Sequence, residues 1–347
     1  MAYRGKHLPQ KKKKVKDDKK KPSKAFVIII IVLLALVVLF CAALLFVNSY
    51  LNKIDRVDEN IEVVAPENQD FETEIDPESV DPNITVTKPE DVEWVETEKL
   101  QDDDLINIML VGQDSRGNTR ERSDTMILCS INPRTGEVSI VSFLRDMYVQ
   151  MPDGYMDNRM NAAYAFGGFP FLYEVMEKNF GITCDGGLEV NFNGFKEIVD
   201  VIGGVDIVLT SGEAAIVGTY MEGVNHLNGE QALTYARIRK LDNDFGRTNR
   251  QRNVINAILN KVRNLSVTEL FSLVNTCLEF VTTDMTNAEI LDIATVALPL
   301  VANLQLESYR IPTDDAYYMT MIRDMSVLVP NLELCQQYLK EDFLPFD

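Results

Sequence analysis

Histidine is nearly absent from this sequence. Its 347 residues include two, His7 and His226, and only His226 falls in the large C-terminal section. That scarcity excludes a multi-histidine metal centre and makes a Ser-His-Asp triad improbable. The five cysteines, Cys41, Cys129, Cys184, Cys277 and Cys335, show no C-x-x-C spacing, which argues against structural zinc. Cys129 sits in an apolar run and reads as a small core residue. Lysine is scarce in residues 105–347, where five Lys stand beside 14 Arg. Chemistry in this section must rest on carboxylates, arginines, amides or a metal held by oxygen.

Charge is plentiful but sorted along the chain, whose formal net charge is −19. Residues 1–24 hold 11 Lys/Arg against two Asp. The run "AFVIIIIVLLALVVLFCAALLFV", 25–47, holds no charge. It is long enough for a transmembrane helix, and the basic tail before it predicts a cytoplasmic N-terminus with the remainder outside the cell. The tail reads as a topology signal or a contact to anionic lipid, not a nucleic-acid site. Residues 49–104 carry 19 Asp/Glu against four Lys/Arg. The segment 48–104 is predicted to be an acidic, self-repelling extracellular stalk. Residues 105–347 are enough for one large core, without an internal repeat.

Within that section, strands are predicted at 106–112, 124–133, 138–146 and 203–209. Helical patterns cover 158–180, with a Gly-Gly-Phe-Pro break, then 191–204 and 246–265. Asn228 caps a further helix from Gly229, which should end near Ala236 because Arg237 and Arg239 align only on extended chain. "LESYRIPTDDAYY" and "MSVLVPNLELCQQYLKEDFL" read as a last strand and a closing helix. Strands mixed with helices predict an α/β fold, an α-β-α sandwich with a central mixed β-sheet flanked by helices.

An arginine excess points to planar, bidentate recognition of phosphate or carboxylate. Five arginines crowd "ARIRKLDNDFGRTNRQR". Arg247, Arg250 and Gln251 fall in the first turns of the 246–265 helix, where cations oppose the macrodipole unless an anion docks there. Arg247 and Gln251 share a face at i, i+4. A second cluster is "VGQDSRGNTRERSDTM", with Asp114 and Arg116 after one strand and Asp124 opening the next. Two carboxylates at strand ends suit a Mg²⁺ that also takes phosphate oxygens. A third is Arg145–Asp146 after an apolar strand. Together these describe a pyrophosphate site.

The ordered pieces "LVGQDSR", "RSDTMILCSINPRTGEVSIVSFLRDMYVQMP", "NRMNAAYAFGG", "VNFNGFKEIVDVIGGVDI", "LNGEQALTYARIRK" and "DFGRTNRQRNVI" resemble the LytR-CpsA-Psr family of cell-wall glycopolymer ligases. The sequence departs at Leu144, where the family usually has Pro, and at Arg159, where Lys is usual; neither removes a charge. The resemblance implies a catalytic domain at 105–347 that transfers a glycopolymer (teichoic acid, capsule or another wall polysaccharide) from a polyprenyl-pyrophosphate carrier to peptidoglycan. It further implies that Asp114 and Asp124 hold Mg²⁺ (or Mn²⁺) or activate the acceptor. Arg116, Arg145, Arg237, Arg239 and Arg247 would bind the phosphates, Gln251 would hydrogen-bond one, and the prenyl chain would lie between sheet and helices. A prenyl-pyrophosphate hydrolase and a non-catalytic wall-binding protein are the competing readings.

Overall fold

The computed structural model describes residues 47–57, 63–71, 84–100, 105–113, 122–219, 221–238, 241, 244–262, 264–300 and 306–346. The chain divides into Met1–Tyr50 and Leu51–Asp347, and the second unit is described here. The basic tail and the apolar run, Val47 apart, lie outside the described residues. Among the described residues no helix is long and apolar enough to cross a membrane.

The first strands are β1 (Asp55–Arg56), β2 (Ile106–Gln113), β3 (Ser123–Ile131), β4 (Val138–Phe143), β5 (Tyr148–Val149) and β6 (Asn158–Arg159). Then come α1 (Met160–Phe180), β7 (Gly186–Asn191), α2 (Phe192–Val201), β8 (Val205–Leu209), α3 (Ser211–Val217), β9 (Gly223–Leu227) and α4 (Gly229–Ala236). The C-terminal part holds α5 (Asp244–Val262), α6 (Val267–Phe280), β10 (Val281–Thr283), α7 (Asn287–Leu300), β11 (Leu306–Ile311), β12 (Tyr317–Ile322), β13 (Met325–Pro330) and α8 (Leu332–Tyr338).

The fold is α/β, as the sequence predicts. Among the described residues a seven-stranded mixed sheet runs β1-β10-β7-β2-β3-β4-β11. The β3–β4 hairpin forms because the Asn132 side chain accepts the Arg134 and Thr135 amides, at 2.8 and 3.2 Å, and Gly136 takes a φ of 79°. Alternation then sorts the sheet's side chains. Met109, Val111, Met126, Leu128, Val141, Phe143 and Ile311 face a core shared with α1 and α8. Ile108, Ile127, Ile131, Val138 and Ile140 are buried on the opposite face.

The strand predicted at 203–209 forms, at 205–209, and pairs with β9 in a separate hairpin. Its outward residues Asp206 and Val208 are exposed, a half-buried pattern unlike that of a central parallel strand. The predicted closing helix begins only at Leu332. Residues 325–330 are strand β13, whose Val327 and Val329 pack against Val92 and Tyr148. The acidic segment 48–104 is not wholly a free stalk. Its β1 is an edge strand of the main sheet. Val64 N–H donates to Phe166 O at 2.8 Å, and Leu100 N–H to Gly181 O at 2.8 Å. Trp94 donates to Asp157 Oδ2 at 2.9 Å. Charge repulsion governs the solvent side of such a segment; its Val64, Phe71, Val92 and Trp94 supply apolar anchors.

α4 seats against α2 through Gly229. A Cβ there would stand 2.2 Å from the Lys196 carbonyl oxygen and 2.7 Å from its Cα. The obstacle is backbone, so no rotamer relieves it. Gly229→Ala is expected to lower stability by about 1–3 kcal/mol, read as a lower midpoint in urea with an unchanged slope.

Candidate functional site

The register of β3 and β4 builds the site. Met126 pairs with Phe143, so the same antiparallel ladder, continued two residues, sets Asp124 opposite Arg145. Arg145 Nη1 donates to Asp124 Oδ1 at 2.8 Å. Its Nε donates to Asp146 Oδ2 at 3.1 Å. Asp146 Oδ1 in turn accepts from Arg159 Nη1 at 2.9 Å. Two arginines and two carboxylates thus form one chain across the strand ends.

A small cleft opens there, lined by Asp124, Thr125, Ile127, Ser142, Leu144, Arg145 and Asp146, with Leu328 from β13 and Arg247 and Gln251 from α5. α5 begins at Asp244, so Arg247 and Gln251 are on its first two turns and share a face. Arg247 is only 4 % exposed. Burying a guanidinium so near a helix N-terminus is unfavourable unless anions face it.

The structure therefore brings Asp124, Arg145, Arg247 and Gln251 together. It does not bring Arg237 to this cleft: Arg237 is exposed, its guanidinium 4.3 Å from the centre of the Phe192 ring. Asp114, Arg116 and Arg239 lie outside the described residues.

Sequence reasoning gave four other residues too little weight. Asp146 and Arg159 complete the ionic chain. Arg122 spans to Asp70 Oδ1 at 2.9 Å and Asn161 Oδ1 at 3.3 Å; its signal was the two-residue spacing from Asp124, which puts both on one side of extended chain. Arg250, buried at 3 % exposure, donates to Glu213 Oε1 at 3.3 Å and to the Ile238 carbonyl at 2.9 Å. Arg252, which a helical-face argument would leave in solvent, is half-buried. Burial and the neighbouring Arg310 charge lower its pKa.

Two carboxylates line the cleft, Asp124 and Asp146, each held by arginine. Among the described residues no group of three or more His, Cys, Asp or Glu could hold a metal ion. Asp124 is the described member of the predicted carboxylate pair, and carboxylate oxygens of this kind are the donors that a hard cation such as Mg²⁺ takes. Cys129, Cys184, Cys277 and Cys335 are free thiols. Burial pushes Cys129 and Cys277 up to about 11 and Cys335 up to about 12. Such thiols are poor nucleophiles at neutral pH.

The LytR_cpsA_psr family model matches residues 70–341, and the chain belongs to that family. Over 208 residues it is 35% identical to the polyisoprenyl-teichoic acid–peptidoglycan teichoic acid transferase TagU of Bacillus mycoides (strain KBAB4), spanning 59% of this chain and 68% of that protein. It is 36% identical over 166 residues to the protein of that name from Bacillus cereus (strain AH820), spanning 47% of this chain and 55% of that one. The match thus covers little more than half the length of this second relative. The crystal structure of TagV from B. subtilis superposes with a TM-score of 0.53 at 25% identity, over 71% of this chain and 100% of that one.

Proposed function

We propose that this protein is a phosphotransferase that moves a phosphate-linked wall glycopolymer from a polyprenyl-pyrophosphate carrier to peptidoglycan. One observation carries the reading: Asp124, Arg145, Arg247 and Gln251, far apart in sequence, converge on one cleft. Two relatives named as teichoic acid transferases support the same activity.

Phosphoryl transfer needs positioning and charge stabilisation more than covalent help from the protein. Arg145 and Arg247 bind and neutralise the pyrophosphate, and the Gln251 amide donates to a phosphate oxygen. Asp114, Arg116 and Arg239, which lie outside the described residues, complete the set in this reading, whereas Arg237 stands on Phe192 and is left out of it. An acceptor hydroxyl oxygen of peptidoglycan forms a bond to the polymer-side phosphorus. The bond from that phosphorus to the bridging oxygen breaks, polyprenyl phosphate leaves, and Asp124 takes the hydroxyl proton once Arg145 has turned toward the phosphate. Asp124, with Asp114, would hold Mg²⁺ or Mn²⁺, which supplies further neutralisation of the pyrophosphate. The cleft lining reaches Ile127 and Ser142 on the second face of the sheet. In this reading the prenyl chain lies between sheet and helices.

The apolar run at 25–47 anchors the chain in the cell membrane, with its N-terminus in the cytoplasm and the catalytic domain outside. A donor that arrives already activated needs no ATP, which suits that location. The test is a transfer assay with labelled polyprenyl-pyrophosphate-linked polymer, with and without peptidoglycan. Label is expected in the wall fraction only when acceptor and protein are both present. Label confined to soluble phosphate products would make the protein a hydrolase instead, and none in either pool would leave a binding protein.

A further inference from the structure

We propose that Asp146 and Arg159 are positioning residues that aim Arg145 into the cleft, an inference that rests on the transfer reading above. Asp146 divides its two oxygens. Oδ2 takes Arg145 Nε at 3.1 Å and Oδ1 takes Arg159 Nη1 at 2.9 Å. An arginine side chain has many rotamers and a planar fork. Fixing it by Nε directs the other end of the guanidinium at the reacting centre, and its Nη1 is there, 2.8 Å from Asp124.

The pivot itself is rigid. Asn161 N–H donates to Arg145 O at 3.0 Å, Leu328 N–H to Asp146 O at 3.0 Å and Met160 N–H to Met147 O at 2.8 Å. The segment 145–147 is therefore clamped between the start of α1 and strand β13. Arg159, on β6 opposite Tyr148, is buried and does not line the cleft. Its link to the cleft runs through Asp146 and Arg145. A buried ion pair is weak evidence for stability, because an apolar pair of similar volume serves as well. Keeping two guanidiniums on one carboxylate beside the cleft is accounted for by the orientation it imposes. Arg145 can then exchange Asp124 for an incoming phosphate by a small rotation, without leaving Asp146.

The test combines kinetics with crystallography of Arg159→Ala, Arg159→Lys and the near-isosteric Asp146→Asn. Arg159→Ala is expected to lower kcat for transfer by about 10²-fold, the cost typical of a misplaced catalytic group. Arg159→Lys, which keeps the charge but not the fork, should restore part of the loss. In an Arg145→Ala background, Arg159→Ala should cost nothing further. Losses that multiply in the double variant would overturn the proposal, as would kcat unchanged in Asp146→Asn. A separate arm needs no activity: in crystals of Asp146→Asn and Arg159→Ala the Arg145 guanidinium should have left Asp124. Finding it still at 2.8 Å refutes the positioning role even if the wild type transfers no polymer. Absence of transfer by the wild type alone refutes only the functional reading.

Discussion

Arg145→Ala is expected to reduce polymer transfer by at least about 10²–10³-fold, the usual cost of removing one preorganised donor to developing charge. The effect should be large because Arg145 serves two carboxylates at once, Asp124 and Asp146. Without it, two partly buried anions face an incoming pyrophosphate with one cation fewer, and donor binding and chemistry both suffer. Arg145→Lys should be nearly as damaging, since an ammonium cannot span both carboxylates as a guanidinium does. The measurement is kcat and KM for transfer, with thermal melting as a control for folding. A variant that keeps more than a tenth of wild-type kcat would remove Arg145 from the centre of the mechanism. Asp124→Asn is the companion: it removes both the proton acceptor and one of the two carboxylates that would hold the metal, so kcat should fall and KM for the donor should rise.

The second large effect concerns stability. Arg250→Met is expected to destabilise the fold by about 3–5 kcal/mol, because it strands Glu213 as a buried charge without its cation. Glu213 cannot simply turn outward. Its Oε2 accepts the Thr210 amide at 2.9 Å and the Thr210 hydroxyl at 3.0 Å in the capping box of α3. The loss also frees the Ile238 carbonyl, next to Arg237 and Arg239. Denaturation in urea should show a lower midpoint. Arg250→Met combined with Glu213→Gln should recover part of the loss, since the stranded charge is then gone and the cap is retained. A single variant within about 1 kcal/mol of wild type, the worth of an exposed pair, would show that the pair is solvated.

The strand ends and the arginine helix were legible in the sequence for local reasons. Apolar alternation with the Asn132–Gly136 turn predicted β3 and β4. The Asn228 cap and the i, i+2 spacing of Arg237 and Arg239 predicted that α4 ends at Ala236, as it does. Arg247 was marked by breaking the macrodipole rule. What escaped was non-local. Nothing near Arg159 in sequence says that β6 sets it on Asp146, and nothing near Arg250 names Glu213, 37 residues away. The pairing of 55–56 with β10 depends on residues more than two hundred positions apart. Composition described the solvent side of the acidic segment and missed its anchors. Arg237 shows the converse: the residue type was informative, but its place on Phe192 required coordinates.

The β3–β4 turn lies at the opposite end of these strands from Asp124, about 20–25 Å away at the usual rise per residue. Arg134 and Thr135 there are exposed, while the Cys129, Cys277 and Cys335 thiols, raised to about 11–12, hold little thiolate at neutral pH. A Thr135→Cys substitution would therefore offer a preferred attachment point for a fluorophore among the described residues. Lengthening that turn leaves the Asp124–Arg145 register untouched, whereas one residue inserted within either strand would turn the pair to opposite faces. The hairpin thus separates a place that tolerates handling from a place that does not.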